Sequence, residues 1–146
     1  MEIRKAAKED LTDLAGIYKS AFEKHLIFEK DEQEVIDYLT PKLNNMIVAV
    51  DGRVIGGCII KTEIENTSHK LSRIQHLAVA PEMQSMGVGT ELVKEAEKII
   101  GRGKIEVRVA EGEAIEFYRK LGYTQEGALT NHYRKNETVL VLGKNI

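Results

Sequence analysis

The plainest chemical signal in the chain lies between a hydrophobic strand and an amphipathic helix, in Gln84-Ser85-Met86-Gly87-Val88-Gly89-Thr90. A glycine-containing turn here delivers backbone N–H groups and a helix N-terminus to one place. The first turn of a helix leaves its N–H donors without carbonyl partners and carries partial positive charge, so the segment suits a phosphate group. Other residues could move protons. Glu106 stands in an alternating strand and Tyr118 on a short helix. His25, His69, His76 and His132 lack metal-ligand spacing, so no metal is expected. Cys58, within the apolar run Gly57-Cys58-Ile59-Ile60, reads as a packed small hydrophobe.

Three kinds of phosphate loop compete for the glycine segment. A dinucleotide-binding fingerprint needs a third glycine where this chain has Leu92. A P-loop needs a lysine between its last glycine and the Ser or Thr, and here Thr90 follows Gly89 directly. The Gln/Arg-x-x-Gly-x-Gly/Ala loop that cradles the pyrophosphate of coenzyme A fits at every specified position.

The run Ile-Gln-His-Leu-Ala-Val-Ala-Pro from Ile74, the glycine loop and the helix ending at Ile100 together resemble the central motif of the GNAT superfamily of N-acetyltransferases. Ala114-Ile115-Glu116-Phe117-Tyr118-Arg119-Lys120-Leu121-Gly122-Tyr123 is similar to that family's second signature. Ile105-Glu106-Val107-Arg108 resembles the Leu-Glu-Val-Arg of the branch that acetylates protein N-termini, such as the ribosomal-protein alanine acetyltransferases. The resemblance implies an acyl-CoA N-acyltransferase fold. It also implies that the strand Leu77-Ala78-Val79 pairs by backbone with the pantetheine arm of acetyl-CoA. Backbone N–H groups of Gln84, Ser85, Met86, Gly87, Val88, Gly89 and Thr90 would then hold the pyrophosphate. The chain departs from the family at Glu111, where many members carry Asn near the pantetheine.

An amine of pKa about 10 must lose a proton before it attacks a thioester, and collapse expels a thiolate of pKa about 8.5. The site therefore needs a proton acceptor, a backbone donor for the oxyanion and a proton donor for sulfur. The resemblance assigns the donor to Tyr118 and the acceptor to Glu106, with His76 or a water relay as rivals for the second role. Phe28, His132 and Tyr133 are expected to line the acceptor site, and Glu23, Glu29 and Asp31 either attract a cationic amine or form a solvated face.

The elements that must position these residues follow from hydrophobic periodicity. A strand is expected over Glu2–Lys5, a helix over Lys8–Phe22, a loop or irregular helix over Glu23–Lys30, and a second helix over Asp31–Leu43. A hairpin turns at Asp51-Gly52 between Met46–Val50 and Val54–Ile60. The polar stretch Glu63–Lys70 reads as a loop and Leu71–Val79 as a strand. A helix over Gly89–Ile100 sets Leu92, Val93, Ala96, Ile99 and Ile100 on one face. A strand over Lys104–Val109, a helix over Glu113–Leu121 and a hairpin of Tyr123–Tyr133 with Glu137–Leu142 complete the order β-α-α-β-β-β-α-β-α-β-β. This is an α/β chain with a mixed sheet, expected to form a single domain over residues 1–146.

Composition sets outer bounds. The 146 residues are 42% hydrophobic and 30% charged with a net charge of -2, without the basic block that would suit nucleic acid. No apolar run is long enough for a membrane span, and the first residues lack the apolar stretch of a signal peptide. With one cysteine, an internal disulfide is impossible. These features point to a cytoplasmic protein without nucleic-acid or membrane partners; a monomer or homodimer is expected, with nothing in the composition choosing between them. The leading function is transfer of acetyl from acetyl-CoA to a primary amine, possible acceptors being a peptide or protein N-terminus and a small amine such as a polyamine, amino acid or amino sugar. A non-catalytic acyl-CoA-binding regulatory domain is the alternative from another class.

Overall fold

The computed structural model describes residues 1–22, 25–110 and 114–146. Its strands are β1 (Glu2–Lys5), β2 (Met46–Val50), β3 (Val54–Glu65), β4 (Lys70–Val79), β5 (Lys104–Ala110), β6 (Thr124–Thr130) and β7 (Thr138–Asn145). Its helices are α1 (Leu11–Ala21), α2 (Glu32–Leu39), α3 (Val88–Ile100) and α4 (Ile115–Lys120). Element order along the chain is the expected one. The strands are ordered β1-β2-β3-β4-β5-β7-β6, and β4 pairs parallel with β5 whereas β1–β2, β2–β3, β5–β7 and β6–β7 are antiparallel. The chain divides into two compact units, Met1–Ile60 with His76–Lys98 and Lys61–Gln75 with Ile99–Ile146.

In the first unit, α1 and α2 bury the apolar stripes that their spacing predicts. Leu14, Tyr18, Val35 and Leu39 join Met46, Val48 and Ile59 in one cluster, with Ile36 and Leu43 packed at its margin. Each such side chain contributes about 1.5–3 kcal/mol of transfer free energy. The second helix ends sooner than expected, because the chain tightens into a 3-10 helix over Thr40–Asn45. Pro41 has no N–H to donate back to the Asp37 carbonyl, so the α-helical ladder stops there although Thr40 itself keeps helical backbone. Asp31 caps α2, its side chain accepting from the Glu34 N–H at 2.9 Å, which gives that acidic residue a structural task. On α3, Val88, Leu92, Val93 and Ala96 are buried, whereas Ile99 is 51% exposed. Ile100, in the same last turn, is 3% exposed, so the stripe stays covered to the helix end and is open only at Ile99.

The second unit corrects the boundary of one strand. β3 continues to Glu65 through the stretch expected to be polar loop, so only residues 66–69 form the turn. Its outer half is exposed on both faces and therefore shows no alternation. Ion pairs mark its course, with Arg73 3.6 Å from Glu63 and Lys70 3.5 Å from Glu65. Asn66 closes the turn by accepting from the N–H groups of Ser68 and His69. Along β5, Ile105 and Val107 are buried while Glu106 and Arg108 are half-buried, as the alternation requires. Val107 stands opposite Leu142 of β7.

Candidate functional site

The phosphate-suited loop belongs to the first unit. Ser85 (φ 67°) and Gly87 (φ 83°) both adopt left-handed backbone immediately before α3. Left-handed residues in a turn ahead of a helix are the backbone conformation from which anion-binding concavities of successive N–H groups are built. A Cβ added at Gly87 would meet no atom within 4 Å, so the space above it is open and glycine is required there by φ alone. Gln84, Ser85, Met86 and Gly87 are exposed, with Val88 buried beneath them and Gly89 and Thr90 half-buried. The Gln84 side-chain amide lies 3.3 Å from the Val79 carbonyl, a contact that ties the loop back to the end of β4.

That end of β4 is closely backed. The Ala80 N–H donates to the Ile55 carbonyl at 2.8 Å, and a Cβ at Gly56 would fall 2.8 Å from the Ala78 carbonyl oxygen. Leu77 and Val79 are half-buried, and Ala78 is buried. One residue earlier, His76 has φ 50°, a left-handed conformation within a strand. Its imidazole meets the rings of Tyr18, Phe22, His25, Phe28 and Tyr38. Phe28, expected at the acceptor site, is 1% exposed and stacks on Tyr18 and Phe22. Its ring is thus a buried support of this cluster. Cys58 is fully buried, and burial pushes its thiol up to about 12.

The proton-transfer candidates belong to the second unit. Glu106 Oε1 accepts from Arg108 Nε at 2.7 Å and lies 3.9 Å from Arg73 Nε. The Glu106 side chain is 17% exposed, so water reaches it. Arg108 Nη1 lies 3.5 Å from the Tyr133 hydroxyl, and bonding to Glu106 raises the pKa of Arg108 further above its ordinary value. Tyr118 on α4 is 5% exposed, packed edge-on against Phe117 and Tyr123. His132 and Tyr133 are exposed on the turn between β6 and β7, their ring centroids 4.6 Å apart. Glu111 and Glu23 lie outside the described residues. Among the described residues, no group of three or more His, Cys, Asp or Glu side chains is placed to hold a metal ion, and no helix is long and apolar enough to cross a membrane.

Two contributors escaped the sequence reading. Arg73 reaches Glu106 because Arg73 and Glu106 are register partners in the parallel β4–β5 pair, a pairing that no local pattern announces. Tyr38 joins His76 across 38 positions of sequence. No local pattern announces that pairing either, since the aromatic residues Tyr18 and Phe22 near the end of α1 read equally as ordinary core.

A loop suited to pyrophosphate beside a closely backed strand end agrees with what the comparisons with known proteins return. The family described as the acetyltransferase (GNAT) domain matches residues 42–125, more than half of the chain. The chain belongs to this family, and it is an acetyl-CoA-dependent N-acetyltransferase. A Bacillus subtilis (strain 168) protein provisionally named as a ribosomal protein bS18 alanine N-acetyltransferase is 25% identical over 146 residues, covering 96% of this chain and 92% of its own. The crystal structure of a ribosomal-protein-alanine N-acetyltransferase from Brucella melitensis shares the fold at a TM-score of 0.78, with 22% identity and full coverage of both chains. An aminoglycoside 6'-N-acetyltransferase complexed with coenzyme A shares it at 0.79, with 17% identity over 99% of this chain and 97% of its own.

Proposed function

We propose that the chain, acting as one catalytic domain, transfers acetyl from acetyl-CoA directly to a primary amine, with a peptide or protein N-terminus as the favoured acceptor. The observation that carries the cofactor half is the left-handed pair Ser85 and Gly87 placed just ahead of α3. Amides of residues 84–90 hold the pyrophosphate, and the backbone of Leu77, Ala78 and Val79 pairs with the pantetheine arm. The acceptor preference rests on the Ile105-Glu106-Val107-Arg108 pattern.

In this reading Glu106 takes the amine proton as nitrogen attacks the thioester carbon. A C–N bond forms, the carbonyl becomes an oxyanion, and its collapse breaks the C–S bond. Tyr118 gives its hydroxyl proton to the departing sulfur, so the products are an acetylated amine and free coenzyme A. His132 and Tyr133, exposed on their turn, contact the acceptor, with Phe28 supporting from the core. Direct attack is favoured over an acetyl-cysteine intermediate because Cys58 is buried and its thiol is held protonated.

A thiol-release screen with acetyl-CoA tests the reading against two panels, short peptides with free N-termini and small amines. Turnover on peptides with little on small amines is the expected result. Turnover confined to polyamines, amino acids or amino sugars would overturn the acceptor assignment.

A further inference from the structure

A non-glycine residue with positive φ inside a strand is strained, and such a residue persists where its surroundings over-determine it. His76, at φ 50° within β4, is of this kind, and its surroundings are specific. The rings of Tyr18, Phe22, Phe28 and Tyr38 meet the imidazole edge-on, with centroids 5.1–6.0 Å away. Packing alone would accept any flat side chain at this position. The Tyr38 hydroxyl, however, lies 2.9 Å from His76 Nε2, a hydrogen bond that fixes the ring's rotation as well as its depth. Tyr38 is itself anchored, with Lys42 Nζ 4.1 Å from its ring centroid and the Phe28 ring against it at 82°. Burial raises the Tyr38 pKa, so its hydroxyl keeps its proton across the neutral range.

The bend at His76 immediately precedes the backbone assigned to the pantetheine arm. Rotating φ at this residue re-aims every N–H and C=O group of the three residues that follow. We propose that Tyr38 is a positioning residue: through its hydrogen bond to His76 it holds the left-handed bend that sets Leu77, Ala78 and Val79 to receive the pantetheine arm of acetyl-CoA. The proposal rests on the reading of those three residues as the pantetheine strand. It gives α2, which carries none of the assigned catalytic or cofactor-binding residues, a part in cofactor affinity.

The experiment compares Tyr38→Phe, His76→Asn and His76→Phe, each checked by thermal melting for folding. Calorimetry measures binding of coenzyme A and of its 3′-phospho-ADP portion alone, and thiol release gives KM and kcat. Losing one hydrogen bond of ordinary strength weakens coenzyme A binding by about fivefold in Tyr38→Phe. The KM for acetyl-CoA rises with it, and kcat changes less. Asparagine tolerates left-handed backbone and keeps a polar group for Tyr38. His76→Asn therefore recovers most of the affinity that His76→Phe loses, although phenylalanine is the better ring mimic. Binding of the 3′-phospho-ADP portion stays level in all three. A merely structural role predicts the opposite ranking, with His76→Phe binding better than His76→Asn, and that ranking overturns the proposal. If wild type binds coenzyme A no better than the armless portion, the pantetheine reading fails and takes the proposal with it. If wild type prefers coenzyme A and Tyr38→Phe keeps the full preference, the positioning role alone is wrong.

Discussion

Arg108 Nε donates to Glu106 Oε1 at 2.7 Å, two residues apart on the same face of β5, so the candidate base is held by its own strand. Arg73 approaches the same oxygen at 3.9 Å from β4. The Arg108 hydrogen bond orients the carboxylate, and Arg73 adds a longer ion pair without a hydrogen bond.

Glu106→Gln is expected to lower kcat/KM on the order of a hundredfold, the usual worth of a positioned general base. The loss should deepen toward low pH, where the acceptor amine holds its proton most firmly. A second effect follows from charge. A neutral amide removes the carboxylate that Arg108 bonds, while Arg73 keeps Glu63 at 3.6 Å, so the site gains positive charge and the KM of a cationic acceptor rises. Rates across pH with a peptide acceptor check both points, and a variant profile parallel to wild type would remove Glu106 from proton transfer.

Tyr118→Phe separates chemistry from binding. The hydroxyl is assigned to the leaving sulfur, whereas the ring packs against Phe117 and Tyr123 and is kept by phenylalanine. Turnover should fall by roughly a hundredfold with acetyl-CoA affinity little changed. Calorimetry alongside thiol release decides it, and equal rates in both proteins would show that sulfur finds its proton elsewhere.

What the sequence made legible was local. The stripe of Leu92, Val93 and Ala96 and the alternation of Ile105 and Val107 are single-element patterns, and both elements lie where those patterns put them. The tail of β3 was hidden because Lys61 to Glu65 is exposed on both faces, leaving no apolar face to alternate with. The glycine loop was legible because a backbone motif is carried by a few consecutive residues. The Arg73–Glu106 approach and the Tyr38–His76 bond were not, since each depends on a non-local packing choice. Nor does any propensity announce a left-handed histidine; only the assembled ring cluster accounts for it.

Cys58 supplies a negative control for the chemistry. Its thiol is fully buried and pushed up to about 12, so almost none is thiolate at neutral pH. Cys58→Ala should keep wild-type turnover while losing about 1 kcal/mol of stability for the small cavity left behind. Native protein should also resist alkylation. Recovery of protein acetylated at Cys58 after incubation with acetyl-CoA, or loss of turnover in a folded Cys58→Ala protein, would contradict direct attack.

The corner between β1 and α1 predicts an acid-sensitive element. Asp10 is 4% exposed and bonds twice to Arg4, at 2.8 and 3.0 Å, and once to the Ala7 N–H at 2.7 Å. The Arg4 hydrogen bond first, then the Ala7 N–H, hold its carboxyl below the ordinary carboxylate range against the opposing effect of burial. A folded-state pKa below the unfolded one means that the stabilisation is complete above the unfolded value of about 3.9 and disappears as pH falls through the folded value. Asp10→Asn should therefore melt below wild type near neutral pH, and the gap should close as pH drops from about 5 toward about 2. The consequence reaches the ring cluster, because α1 begins at the residue after Asp10 and carries Tyr18 to His76. Thermal melts of both proteins across that range test the linkage, and a gap that stays constant with pH would show that the Asp10 charge contributes nothing to it.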